Sequence, residues 1–192
     1  MAVLSPKTDI KIIGAIVAGG KSRRMGTDKT RLKIGDINLL ERARHLFFDS
    51  GIETVLISHS NHIPDKIKDC GPLGGVDAIL DASASKCSHV IFLPVDMPML
   101  KPNLLGLLKR SNPENIAVRF SQFAFPFRLA NTVPVRENVK RRLEQRRHLS
   151  LMALQSSVDC LEIDIPDSEK IAFSNLNSPQ DWERFNLPER PE

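Results

Sequence analysis

Apolar residues recur along this chain in two rhythms. The first is a short unbroken run, seen in Ile12-Ile13-Gly14-Ala15-Ile16-Val17-Ala18, in Thr54-Val55-Leu56-Ile57-Ser58 and in His89-Val90-Ile91-Phe92-Leu93. Runs of this length, β-branched and bounded by polar or glycine residues, predict strands covered on both faces. The second rhythm is helical. Leu39, Leu40, Ala43, Leu46 and Phe47 share one face of a predicted helix that Asp49-Ser50-Gly51 stops, glycine being the residue that accepts the left-handed turn after a last helical residue. Gly71-Pro72-Leu73-Gly74-Gly75 opens a further helix carrying Val76, Ile79 and Leu80. Buried strands alternating with helices predict an α/β fold, a mainly parallel sheet with crossovers on both faces. In such sheets ligands collect at the carboxyl ends of the strands. There the loop from Gly19, Ser58 and Asp96 would meet.

The second half is less regular. Ile116 to Phe120 and Phe123 to Leu129 read as strands joined by a tight turn at Ser121-Gln122, and Cys160 to Ile165 as another strand. Val135, Val139 and Leu143 recur every four residues and predict an amphipathic helix through Arg147. A last helix starts after Ser178-Pro179, serine capping and proline in the first turn, with Trp182 and Phe185 inward and a loose tail from Pro188.

Composition narrows the class. A chain of 192 residues, 41% hydrophobic, suits a single domain spanning 1–192, with halves at about 9–100 and 101–187. Its longest apolar run falls well short of the roughly 20 residues of a bilayer helix, so no membrane partner is expected. Cys70, Cys87 and Cys160 form no CxxC pair. An odd count without a cleavable leader predicts reduced thiols in the cytoplasm, packed as small hydrophobes, Cys70 nearest the site. The net charge of +4 is matched by Val135 to Arg147 alone, where Arg136, Lys140, Arg141, Arg142, Arg146 and Arg147 face Glu137 and Glu144. That helix reads either as a solvated basic face or as a wall for an anion. Nucleic acid is not expected there, because no aromatic residue is interleaved to stack on bases.

Chemistry concentrates where the first strand ends. Val17-Ala18-Gly19-Gly20-Lys21-Ser22-Arg23-Arg24-Met25-Gly26-Thr27-Asp28-Lys29 couples two glycines, whose backbone can approach an anion closely, to four cations within nine residues. The spacing fits neither a Walker A loop nor the dinucleotide fingerprint. Asp96, at the end of a central strand, offers the hard oxygen ligand that Mg²⁺ prefers. His59 and His62 sit in a predicted loop without a third ligand and are set aside as metal ligands.

The Val17 to Lys29 segment resembles the Leu-Ala-Gly-Gly-x-Ser-x-Arg-Met-Gly-x-Asp-Lys signature of nucleotidyltransferases, and most closely that of the molybdenum cofactor guanylyltransferases. Val95-Asp96-Met97-Pro98 resembles their Asp-x-Pro motif and Asn175-Leu176-Asn177-Ser178-Pro179 their Asn-x-Asn-Thr-Pro motif. The resemblance implies a three-layer Rossmann-like nucleotidyltransferase fold and transfer of GMP from Mg·GTP to molybdenum-bound molybdopterin, with release of pyrophosphate. It implies Val17, Ala18, Gly19, Gly20, Ser58 and Asp65 at the nucleotide, Lys29 and Arg23 on its phosphates, Asp96 on Mg²⁺ and Asn177 at the acceptor. Molybdoenzyme apoproteins or their chaperones are the implied protein partners.

Three departures stand out. Ser58 occupies a position where the family usually has asparagine, the Ser58 to Gly71 interval is shorter than the family pattern, and Phe125-Pro126 replaces a His-Pro pair. The short interval leaves Asp69 a rival to Asp65 for the base. The sequence also leaves open a cytidylyltransferase for the same pterin cofactor or another nucleotidyltransferase of the fold, a lapsed GTP-binding adaptor, and, last, a nucleic-acid module using the basic helix.

Overall fold

A computed structural model describes residues 10–18, 29–178 and 181. The first strand, β1 (Ile12–Val17), is followed by a 3₁₀ turn at Lys29–Arg31 and a two-stranded hairpin of β2 (Lys33–Ile34) and β3 (Ile37–Asn38). Helix α1 (Leu39–Asp49) then leads into β4 (Val55–Ser58), α2 (Pro72–Ala82), β5 (His89–Pro94) and α3 (Pro102–Arg110). The second half supplies β6 (Ala117–Phe120), β7 (Phe127–Ala130), α4 (Val133–Gln145), α5 (Leu151–Gln155), β8 (Cys160–Ile163) and a 3₁₀ helix, Asp167–Phe173.

Six strands form one sheet in the order β4-β1-β5-β7-β6-β8. β1 pairs in parallel with β4 and β5, β6 pairs in parallel with β8, and β7 alone runs against its neighbours β5 and β6. The two halves therefore share one sheet. Side chains alternate across it. Ile16, Ile91, Val118 and Phe120 pack with α1, α3 and Phe173 on one face, while Ala15, Val90, Phe92 and Phe127 pack with α2, α4 and α5 on the other. These are the three expected layers.

Local chemistry sets the element ends. Asn38 caps α1 by accepting from the Glu41 amide at 2.8 Å, and the Glu41 carboxylate answers with a longer contact to the Asn38 amide. At the other end Gly51 takes φ +69°, its amide reaching the Phe48 carbonyl while that of Ile52 reaches Phe47, a Schellman stop that places Ile52 against the core. Gly14 faces α1, where a Cβ would lie 2.8 Å from the Phe47 ring. Its absence lets helix and strand close.

The structure corrects several expectations. The second strand of the Ile116 to Leu129 region begins at Phe127 instead of Phe123, because Pro126 has no N–H for a ladder; the Phe125-Pro126 peptide is cis and Gln122 has φ +72°. The basic helix runs Val133–Gln145, Pro134 falling in its first turn. Its outer face is less free than its sequence suggests. Arg136 donates to the backbone and side chain of Asn131, and Arg142 to the Asn138 side chain and the His148 carbonyl. Of the cysteines only Cys70 is fully buried; Cys87 and Cys160 are half-buried, and all three are free thiols. The strand from Cys160 ends at Ile163. Ser178 accepts from the Asp181 amide at 3.1 Å and the Asp181 carboxylate accepts from the Asn177 and Ser178 amides, a reciprocal cap; the predicted helix body with Trp182 and Phe185, and the tail from Pro188, lie outside the described residues. Among the described residues, no helix is long and apolar enough to cross a membrane.

Candidate active site

Register decides which side chains meet. Val17 of β1 lies opposite Ser58 on one side and Pro94 on the other, so β1, β4 and β5 end level with one another. The Ala18 amide then reaches the Ser58 carbonyl at 3.0 Å and the Val95 amide the Val17 carbonyl at 3.3 Å. Beyond this rim the chain carries two polar constellations.

The first joins residues far apart in sequence. The Lys29 ammonium donates to Asp96 Oδ2 at 2.7 Å and to Asn177 Oδ1 at 2.8 Å. Both ionic side chains are about 15% exposed, low enough for the pair to be felt strongly yet open to an incoming group. Lys29 comes from the 3₁₀ turn after the basic segment, and Asp96 lies two residues past β5. Asn177 is brought in by a backbone bond, the Leu176 amide donating to the Asp96 carbonyl at 2.9 Å. Nothing in the spacing of residues 29, 96 and 177 announces this convergence.

The second constellation lies on the α2 side. Ser58 is wholly buried and donates from Oγ to Asp65 Oδ1 at 3.0 Å. Asp65 is half-buried, and burial pushes its carboxyl above the ordinary aspartate value while the Ser58 hydrogen bond pulls it back. Gly74 and Gly75 make the room: a Cβ on Gly75 would fall 2.6 Å from Ser58 Oγ and 3.2 Å from a Val17 methyl, and one on Gly74 would fall 2.9 Å from Asp65 Oδ2. Two adjacent glycines inside a helix disfavour that helix by roughly 1 kcal/mol each relative to alanine. That cost is the signal in the sequence that could have marked them as a close approach.

Asp69 is exposed and has φ +62°, whereas Asp65 is the carboxylate beside Ser58. The loop carrying them is short but fastened: the Ile63 amide returns to the Ile57 carbonyl, and Lys66 pairs with Asp81 of α2. Phe125 is half-buried and packs on Phe127 with ring centroids 5.5 Å apart, so it serves the core at this rim. Val17 and Ala18 line the end of β1. Gly19, Gly20 and Arg23 lie outside the described residues.

For a metal the donor chemistry is the test. Among the described residues no three or more His, Cys, Asp or Glu side chains gather at one point, and His59 and His62 stand with ring centroids 6.3 Å apart. Mg²⁺ is commonly held by one or two carboxylates plus phosphates and water. Asp96, a single carboxylate beside a lysine at the strand ends, fits that manner of binding.

A cleft of about 300 Å³ lies between α1 and the loop after β5, with Leu39, Ala43, Met97 and Leu100 among its walls. Arg42 closes one side, donating from Nε to the Pro98 carbonyl at 2.7 Å. It lies across the sheet from Ser58 and Asp65, and sequence reasoning did not foresee it.

Comparison with known proteins agrees with this architecture. Residues 14–158 match the model of the MobA-like NTP transferase domain. The chain is similar to the molybdenum cofactor guanylyltransferase of Xanthomonas euvesicatoria pv. vesicatoria, with 34% identity over 184 residues covering 93% of this chain and 96% of that protein. A probable molybdenum cofactor guanylyltransferase of Opitutus terrae is 29% identical, covering 90% and 94%. Among solved structures, molybdopterin-guanine dinucleotide biosynthesis protein A from Archaeoglobus fulgidus superposes with a TM-score of 0.73 at 20% identity, covering 90% of this chain and 96% of that one. At that identity the likeness speaks for the fold.

Proposed function

The chain belongs to the MobA-like NTP transferase family, and from that premise we propose that it is a guanylyltransferase moving GMP from Mg·GTP to the terminal phosphate of molybdenum-bound molybdopterin. The observation that carries this reading is the meeting of Lys29, Asp96 and Asn177 at the carboxyl ends of the strands. Asp96 is the residue that would hold Mg²⁺, which supplies charge neutralisation at the triphosphate.

The reaction asks little covalent chemistry of the protein. An oxygen of the acceptor phosphate, already anionic at neutral pH, attacks the α-phosphorus as the bond to the β-phosphate bridging oxygen breaks, and pyrophosphate departs with that electron pair. No general base is required. What remains is alignment and stabilisation of spreading negative charge. Lys29 fits this part: its ammonium lies between a carboxylate and an amide oxygen, both of which a triphosphate oxygen can replace as acceptor. Asn177, released from that bond, offers its amide to the acceptor. Asp65 is the carboxylate assigned to the base, since two oxygens can accept from both the N1–H and the 2-amino group of guanine. Arg23, Gly19 and Gly20 complete the phosphate cradle in this reading.

The test is pyrophosphate release by the pure protein with molybdenum-loaded molybdopterin, Mg²⁺ and either GTP or CTP. Release is expected with GTP, and Lys29→Ala and Asp96→Ala each lose about 100-fold or more with melting profiles intact. Release with CTP alone makes the chain a cytidylyltransferase. Mg·GTP binding without any release makes it an adaptor.

A further inference from the structure

We propose that Ser58 is a positioning residue for base selection: its buried hydroxyl, donating to Asp65 Oδ1, holds that carboxylate aimed at the nucleobase without itself touching the ligand. The inference rests on the reading above in which Asp65 meets the base. Ser58 is wholly buried, and its Oγ is 3.0 Å from Oδ1. Among the described residues Asp65 accepts this hydrogen bond alone. A Cβ on Gly75 would fall 2.6 Å from Oγ, so the glycine lets α2 close directly over the hydroxyl. With Oδ1 fixed, Oδ2 is held over Gly74, the other helix position where a Cβ would collide. The carboxylate is thus held by one hydroxyl and packed on α2 where two side chains are missing.

Guanine requires two acceptors in that plane, and only the ionised carboxyl offers both. Everything else around Asp65 works against ionisation. Burial disfavours the charge, and Asp77 on α2, itself buried and pushed upward by burial and by Asp81, adds a like charge that interacts with Asp65. The cation in reach, Lys66 on the same loop, is bonded to Asp81. The Ser58 hydrogen bond is the local contact that favours the anion.

Calorimetric titration of Mg·GTP and Mg·ITP, the latter lacking the 2-amino group, across pH 5 to 8 tests this on wild type, Ser58→Ala and Asp65→Asn. In Ser58→Ala the acidic fall in GTP affinity moves to higher pH, Kd for GTP at the acid end rises about tenfold, and the preference for GTP over ITP shrinks with the melting profile unchanged. A Ser58→Ala titration that superimposes on wild type overturns the inference; if Asp65→Asn still abolishes the GTP preference, the base assignment survives that failure. Asp65→Asn with an unaltered GTP to ITP ratio overturns both. Should Ser58→Ala not fold, Ser58→Cys, nearly isosteric with a weaker donor, carries the same comparison and is expected midway.

Discussion

At the scale of single residues, the far rim of the sheet holds the clearest pH-sensitive group. His89 opens β5 almost wholly buried, one ring nitrogen against the Ser88 hydroxyl and the other 3.1 Å from the Pro113 carbonyl. Burial, helped by the Arg128 charge, lowers its pKa below the ordinary histidine value, against the opposing pull of the Pro113 carbonyl. The folded state thus binds a proton less readily than the unfolded chain. Stability from this site is complete above the unfolded pKa of about 6.5 and is lost as pH falls from there through the folded value. His89→Asn should flatten the fall of Tm with acidification over that window, measured against wild type by calorimetry; an unchanged slope contradicts it. The raised carboxyls of Asp65 and Asp77 act in the opposite direction, becoming less destabilising as they protonate, so the comparison must be made between variant and parent. His89 was legible only as a strand residue. One partner is the neighbouring Ser88, but the other arrives from the turn at Pro113, a contact that no local pattern encodes.

At the scale of elements, the buried strands and the helices they alternate with were legible because each carries an unbroken apolar run or a helical stripe of its own. The second half was legible as strands with looser bounds, β7 being the one displaced by Pro126, whereas α5 spans five residues, too short for a helical period to declare itself. α3 escaped notice although Leu104, Leu105 and Leu108 form its inner face. What locks α3 is equally nonlocal. Arg128, in the middle of β7 and 1% exposed, sends its guanidinium to the carbonyls of Leu108, Ser111 and Asn112, at 3.2, 2.8 and 2.5 Å. The buried cation adds to the cap that Ser111 supplies by donating from its amide and its hydroxyl to the Leu107 carbonyl. Arg128→Met keeps much of the volume but takes the guanidinium donor from the Leu108 and Ser111 carbonyls, while Asn112 keeps the Asn115 amide, and should lower unfolding free energy by about 2–4 kcal/mol, read from the urea midpoint. A midpoint within error of wild type overturns that account. The candidate site was legible in part: Lys29, Asp96 and Asn177 follow from motifs, while Gly74, Gly75 and the choice of Asp65 beside Ser58 needed the packing of α2 on β4.

At the scale of the whole molecule, a single sheet built from both halves brings the carboxyl ends of β1, β4 and β5 level, and the chain then returns from residue 173 to the same rim. The Lys29 ammonium closes that return, bonding across 148 positions to Asn177 and across 67 to Asp96. Lys29 is thereby a latch for the segment Ser174 to Ser178. Any ligand that draws the ammonium away also unfastens that tie, leaving, among the described residues, the Ser174 amide on the Ile171 carbonyl, the Leu176 amide on the Asp96 carbonyl, the buried Leu176 side chain and the Asp181 cap. Occupancy of the nucleotide site should therefore be felt along the chain. Hydrogen exchange at the Leu176 amide is expected to quicken when Mg·GTP binds and to be quick already in Lys29→Ala; exchange that slows in both cases contradicts the latch. Ligand arrival at the lysine would then also be a message, written by one side chain changing partners, to a segment 148 positions further along the chain.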